Sequence, residues 1–214
     1  MSYSQAVRTS IAAQDPVTPC CRIALLVALL AFAGRTTAES YCLEVENAAV
    51  ARQAFRVAKA MGDSAPRLVH SSHPYQVALT MVPPLLAEAI HSAKLERTKF
   101  LRRTCCRRTW LKGAFLACGS LTRPEHGYHL EFSASGNLVL IIQDLLLKEG
   151  IRARRDERRS YIKAAEDIVA FLSLIGAVAI RLTYEQVLMG RDLKNQVQRA
   201  VNCDTANLDR TVEA

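Results

Sequence analysis

Aromatic side chains are scarce, at 6% of 214 residues. Proteins that grip single strands by stacking bases usually carry a row of Phe, Tyr or Trp, so the composition argues against that class. Also missing is an apolar run of about 20 residues, the length a membrane-spanning helix requires. No Cys-x-x-Cys spacing occurs among the seven cysteines, two of whose pairs, Cys20-Cys21 and Cys105-Cys106, are adjacent. Adjacent thiols point in divergent directions, so these pairs are not expected to chelate a metal, and an odd count does not suit a secreted disulfide framework. The cysteines read as reduced thiols, mostly buried, in a cytoplasmic protein. The spacing His-x-x-His occurs twice, at His70/His73 and His126/His129, in hairpins without matching cysteines, and reads as chance. No cofactor and no metal site is expected.

What is present is a large apolar fraction, 50%, enough to build a core and to exclude wholesale disorder. Twenty-eight Lys and Arg against twenty Asp and Glu give a net charge of +8, which suits a polyanionic partner. Near the N-terminus, Arg22 followed by the apolar run Ile23 to Ala33, ending Ala31-Phe32-Ala33, has the local form of a secretory signal.

An internal repeat overrides that local form. "CCRIALLVALLAFAGRTT" from Cys20 and "CCRRTWLKGAFLACGSLT" from Cys105 stand 85 positions apart. They share Cys-Cys-Arg, then Leu26 with Leu111, Gly34 with Gly119 and Thr37 with Thr122. Downstream, "YCLEV" at Tyr41 mirrors "YHLEF" at Tyr128. The second apolar helix lies far inside the chain, where no signal peptide can be, so its twin is read as structural too. Each unit reads as helix, two strands, helix, two strands, helix, an α+β class.

The boundaries are a leader helix over 1–19, a first unit over 20–98, a second over 104–190, and the end of a long helix with a linker over 191–214. Ala24, Ala28 and Ala31 in the first copy, and Gly113 and Ala117 in the second, place small residues on one helix face, where two backbones can approach. Gly34 and Gly119 are expected to stop these helices as C-terminal glycines, and both belong to the expected packing seam. Gly62 and Gly150 should stop the next helix of each unit. Closing helices are expected near Pro84 to Ala93 and Ala164 to Ile175, and a polar turn at Glu39-Ser40. Residues 180–200 read as an amphipathic helix with Leu182, Val187, Leu188, Leu193 and Val197 inward, followed by a polar, turn-like tail.

The densest charge cluster holds Arg152, Arg154, Arg155, Arg158 and Arg159 around Asp156-Glu157, with Lys163 beyond. With the acids as a turn, arginines line both strands of a hairpin, where guanidinium groups can meet phosphates. The first copy has only "RLVHSSHPYQ" there, so contact is expected to come mainly from the second unit. A second cluster, "KLERTKFLRRTCCRR" from Lys94 to Arg108, reads either as a solvated connector or as a linker that also touches phosphates.

"LKGAFLACG" resembles the LAGLIDADG motif of homing endonucleases. More narrowly, "ENAAVAR", "CCRRTWLKGAFLACGSLTRPEHGYHLEF", "FLSLIGA" and "RDLKNQVQRAVNCDTANL" resemble the bacterial WhiA regulator family. The resemblance implies tandem pseudo-symmetric LAGLIDADG-like units, binding to duplex DNA in the cytoplasm at the nucleoid, and roles in cell division, chromosome segregation and, in sporulating bacteria, sporulation gene control. It also implies a following helix-turn-helix domain, for which no residues remain. The chain therefore reads as truncated, or as served by a separate helix-turn-helix partner. A protein-interaction scaffold is the rival reading.

Cleavage is not expected. A LAGLIDADG nuclease carries an acid just before each closing glycine to hold divalent ions at the phosphodiester. Ala33 and Cys118 stand in those positions, and the nearest acids, Glu39 and Glu125, fall in turns. Cys118 could be imagined as a nucleophile, but the sequence gives no reason for a lowered thiol pKa.

Overall fold

The computed structural model describes residues 2–36, 41–62, 66–70, 74–79, 99–134 and 136–212. The Glu39-Ser40 turn, His73, the helix expected at Pro84 to Ala93 and the Lys94–Thr98 end of the connector lie outside the described residues.

A leader helix α1 (Tyr3–Ala12) precedes two units of the same order. The first comprises α2 (Pro19–Ala33), strands β1 (Gly34–Thr36) and β2 (Tyr41–Val45), α3 (Ala48–Ala60), and strands β3 (Arg67–His70) and β4 (Tyr75–Leu79). The second, entered through a 3-10 turn at Lys99–Arg102, comprises α4 (Thr104–Cys118), β5 (Gly119–Leu121), β6 (Leu130–Ser133), α5 (Asn137–Lys148), β7 (Arg154–Arg155), β8 (Arg159–Ile162) and α6 (Ala165–Leu174). Helix α7 (Val178–Val212) follows. Each sheet is antiparallel with the same interleaved order, β1-β2-β4-β3 and β5-β6-β8-β7. The class is α+β, as the repeat implies.

Helices α2 and α4 form the centre. Leu25 to Leu30 of α2 are all buried, as are Trp110, Leu111, Ala114, Phe115 and Leu116 of α4. The signal-like run is thus a core helix. Gly113 lies against α2, where a Cβ would come within 2.6 Å of Ala28 Cβ and 3.0 Å of the Leu25 carbonyl oxygen. Ala24 and Ala28 are fully buried, whereas Ala31 and Ala117 are half-buried. Phe32 and Trp110 close an edge-to-face aromatic contact, centroids 5.5 Å apart.

Gly34 and Gly119 differ from expectation. Both have extended backbone, φ −90° and −77°, so the chain passes straight from helix to strand. A Cβ at Gly34 would meet the Leu30 carbonyl oxygen of its own helix at 2.3 Å, and one at Gly119 would meet its own Phe115 ring at 2.3 Å. These glycines serve the sharp exit from each helix and not the seam between the helices. Gly62 and Gly150, at φ +90° and +78°, are the left-handed stops after α3 and α5.

The leader helix is tied down by the "ENAAVAR" segment. Asn47 caps α3, accepting from the Ala49 and Val50 amides, while its Nδ2 donates to the Gln5 carbonyl and Thr9 Oγ1. One side chain so caps a helix and docks another.

Helix α7 departs most from the sequence reading. It does not give way to a turn-like tail but continues to Val212. Leu182, Leu193 and Val197, expected inward, are 47%, 63% and 56% exposed, and Val187 and Leu188 are only half-buried. Tyr184 is the buried anchor, its hydroxyl donating to the Thr122 carbonyl. Arg191 adds a second tie, donating to the Pro124 carbonyl at 2.8 Å and stacking over the Tyr128 ring. Tyr128 itself precedes β6, which starts at Leu130.

Candidate nucleic-acid interface

Strand alternation sorts each sheet into a core face and an outer face. In β8, Ser160 and Ile162 are buried, which leaves Arg159 and Tyr161 outward. In β6, Leu130 and Phe132 are buried, which leaves Glu131 and Ser133 outward. Cross-strand register aligns Arg154 with Tyr161 and Glu131 with Tyr161. Arg154, Tyr161 and Glu131 therefore form one outward row. Arg155, opposite Ser160 on the edge strand, is exposed too. Tyr161 is a platform for two cations, with Arg159 Cζ 5.8 Å and Lys163 Nζ 5.5 Å from its ring centre.

The acids that neutralise this cluster are not the pair the sequence singles out. Asp156 bonds Arg159 at 2.5 Å, and Arg159 also reaches Glu131 at 3.3 Å. The exposed Asp156 carboxyl is held below its ordinary pKa, chiefly by the Arg159 hydrogen bond. Glu157 joins no ion pair among the described residues. Arg152, outside the hairpin strands, pairs with Asp167 at 3.4 Å. Two of the six expected DNA-contacting cations are thus held by acids, while Arg154, Arg155, Arg158 and Lys163 are exposed and form no ion pair among the described residues. Of these, Arg158 lines an open groove of about 930 Å³, together with Arg159, the acids Glu131, Asp156 and Glu157 and, from α2, Phe32. The same outer face of the first sheet is poorer in charge. Arg35 there pairs with Glu44 at 3.4 Å, and Arg67, opposite Ala78, is its other described cation.

The connector cluster is partly structural. Arg107 and Arg108 both grip Glu149 at the end of α5, at 2.9 and 2.8 Å, with Glu149 almost wholly buried. Of the histidines, His129 Nε2 lies 3.0 Å from Glu131, and His126 is exposed.

The helix ends where a nuclease carries its acids are chemically quiet. Cys118 donates to the Ala114 carbonyl of its own helix at 3.2 Å, and burial pushes its thiol up to about 12. A neutral thiol so held is neither a hard-ion ligand nor a nucleophile. Arg8 of α1 donates to the adjacent Gly119 carbonyl at 2.5 Å, placing a cation at the C-terminal end of α4.

The cysteines depart from expectation twice. Only Cys21 and Cys106 are buried, while Cys105 and Cys203 are exposed. The adjacent pairs also converge, and the sulfurs of Cys20, Cys21, Cys105 and Cys106 all lie within 4.8 Å of one another. Cys20 is pulled down to about 6, first by its hydrogen bond with Thr18.

Residues 107–194 match the family described as the WhiA LAGLIDADG-like domain. Among solved structures, full-length WhiA from Thermotoga maritima superposes with a TM-score of 0.76 at 20% identity, covering all of this chain and 75% of that one. The homing endonuclease I-DmoI, solved in complex with DNA and manganese, superposes with a TM-score of 0.54 at 15% identity, covering 74% of this chain and 97% of that one. Among described helices, none is long and apolar enough to cross a membrane. A protein from Oceanobacillus iheyensis called a probable cell division protein WhiA is 35% identical, and one from Desulforudis audaxviator of the same name 32%, each match covering the whole of this chain and 76% of the relative. With its tandem LAGLIDADG-like units and this likeness along its full length, the chain belongs to the WhiA family.

Proposed function

We propose that the chain is a non-catalytic, duplex-DNA-binding regulator of cell division, acting at the nucleoid in the cytoplasm, with chromosome segregation and sporulation gene control as its wider roles. The observation that carries this reading is the strip of Arg154, Arg155, Arg158 and Lys163, exposed and without acidic partners among the described residues, beside the Tyr161 platform. Exposed guanidinium and ammonium groups left uncompensated around one hairpin suit a phosphate backbone, and their binding energy comes largely from counterion release. A fold neighbour solved with DNA supports the same partner. No carboxylate stands at the closing positions of α2 and α4, which supports binding without cleavage.

The test is a salt titration of binding to a labelled duplex. Four phosphate contacts give log K against log salt a slope of about −3.6, and the slope should be similar for unrelated sequences. Binding that is absent at low salt, or that ignores salt, defeats the reading.

A second reading, a scaffold for a separately encoded helix-turn-helix or other regulatory protein, draws on α7. Leu182, Met189, Leu193, Val197 and Val201 form an exposed apolar stripe at helical spacing. An interface of that kind would hold as salt rises.

A further inference from the structure

We infer that Cys20, Cys21, Cys105 and Cys106 together form a tetrathiolate site for one zinc ion, clamping the N-terminal ends of the two central helices. Cys20 and Cys21 are the second and third residues of α2, and Cys105 and Cys106 are the second and third residues of α4. The repeat therefore supplies two thiols at equivalent positions of each helix. Side-by-side packing of those helices brings the four sulfurs within 4.8 Å of one another. One adjacent pair points poorly at a shared ion when taken alone, but two pairs from facing helix ends enclose a common centre.

The dimensions fit. Tetrahedral zinc with bonds near 2.3 Å needs sulfur–sulfur edges of about 3.8 Å. Cys105 and Cys106 sulfurs are already 3.9 Å apart, and the widest pair needs to close by about 1 Å, within reach of small side-chain rotations. Four thiolates in a tetrahedral arrangement are the donor set of a soft ion such as zinc, and they disfavour magnesium or calcium.

The surroundings suit it as well. Cys21 and Cys106 form a buried floor, while exposed Cys105 and half-buried Cys20 leave an entry path. Four thiolates around a divalent ion carry a net charge of 2−. Both helix N-termini face that charge favourably, and Arg22 and Arg103 stand within two residues of the ligands in sequence. The Thr18 hydroxyl lies 3.4 Å from the Cys20 sulfur as an outer-shell donor. On binding, each thiol gives up its proton to solvent and no electrons are transferred.

The experiment uses the full chain, reduced and stripped of metal, titrated with cobalt(II) as a spectroscopic stand-in for zinc. The expected result is one equivalent of cobalt with sulfur-to-cobalt charge transfer and the intense visible bands of a tetrahedral tetrathiolate. Zinc should displace it, protect four thiols from Ellman's reagent and raise the thermal midpoint, and a strong chelator should reverse all three. Cys20→Ser with Cys105→Ser should abolish these bands, and Cys203→Ser should keep them. The wild-type titration decides the matter even if the double variant fails to fold. Absence of thiolate–cobalt bands in reduced wild-type protein overturns the site. So does their persistence in a folded double variant, or a disulfide between the two helices in protein isolated under reducing conditions.

Discussion

Gly113 and Gly190 are both helical glycines, yet their surroundings give them opposite roles. Glycine costs a helix interior about 1 kcal/mol relative to alanine, so each needs a reason to be there. At Gly113 the reason is the approach of α2, since any Cβ would overlap Ala28 and press on the Leu25 carbonyl. Gly113→Leu is expected to overpack the seam and cost about 1–3 kcal/mol, read as a lower thermal midpoint. At Gly190 a Cβ would meet nothing within 4 Å, so Gly190→Ala should stabilise by up to about 1 kcal/mol. Equal midpoints for the Gly113 variant and its parent would mean the helices do not meet there. Beside Gly113, Lys112 is buried with its Nζ 2.8 Å from the Gln14 carbonyl, and burial lowers its pKa to about 8. A lysine whose folded pKa lies below its unfolded value binds fewer protons folded than unfolded. Its burial cost is therefore full below pH 8 and relieved as pH rises from about 8 toward 10.5. Lys112→Met leaves the Gln14 carbonyl its Gln53 donor at 2.8 Å, so the variant should be at least as stable at pH 7. The midpoint difference between variant and parent should shrink across that pH window. A difference independent of pH would show that Lys112 keeps its ordinary pKa. The small residues of the seam were legible in the sequence as a periodic pattern. The roles of Gly34 and Gly119 were not, because a glycine fixed by its own helix exit looks the same as one fixed by a neighbour.

Elements buried on a recognisable face were easiest to read. Helices α2, α3, α4 and α5 carry dense apolar runs or strong amphipathic spacing, and their core placement follows. Helix α7 shows the limit of that logic. Its apolar spacing marks a helix, but spacing carries no information on whether a partner covers the stripe, and Leu193, Val197 and Val201 are left exposed. The β7–β8 hairpin was legible as an element for the opposite reason. Five arginines in eight positions cannot be buried, so the segment had to lie at a surface. Which of them are neutralised was not legible, because Glu131 and Asp167 approach from other elements. Arg154, Arg155 and Arg158, without acidic partners among the described residues, are the ones to change. Converting all three to Ala should flatten the salt slope by about 2.7 units on any duplex, at about 0.9 per lost contact. Folding should be little affected, as exposed substitutions of this kind cost under about 0.5 kcal/mol each. A folded triple variant with unchanged affinity and slope would move the contact surface away from this hairpin.

At the scale of the molecule, duplication explains both what could be foreseen and what could not. The 85-residue offset between the Cys-Cys motifs gave the tandem architecture, and with it the equivalence of Ala33 with Cys118. The meeting of the four thiols was harder to see, since it depends on how the copies face each other. The prediction about cleavage belongs to this scale too, because two-ion hydrolysis needs a carboxylate from each copy at the shared end of the helix pair. One copy offers a methyl group at Ala33. The other offers the Cys118 thiol, which burial holds protonated up to about pH 12. Nearby stands the Arg8 guanidinium on the Gly119 carbonyl, whose positive charge would repel an incoming magnesium ion. Supercoiled plasmid incubated with the chain and magnesium or manganese should therefore remain supercoiled, over times that let a nuclease control relax it fully. Restoring one acid, as in Cys118→Asp, should not create activity, since Ala33 still lacks its counterpart. Nicking that survives repeated purification, responds to manganese and stops with a chelator would require a carboxylate pair elsewhere in the chain, and the helix ends would no longer account for the chemistry.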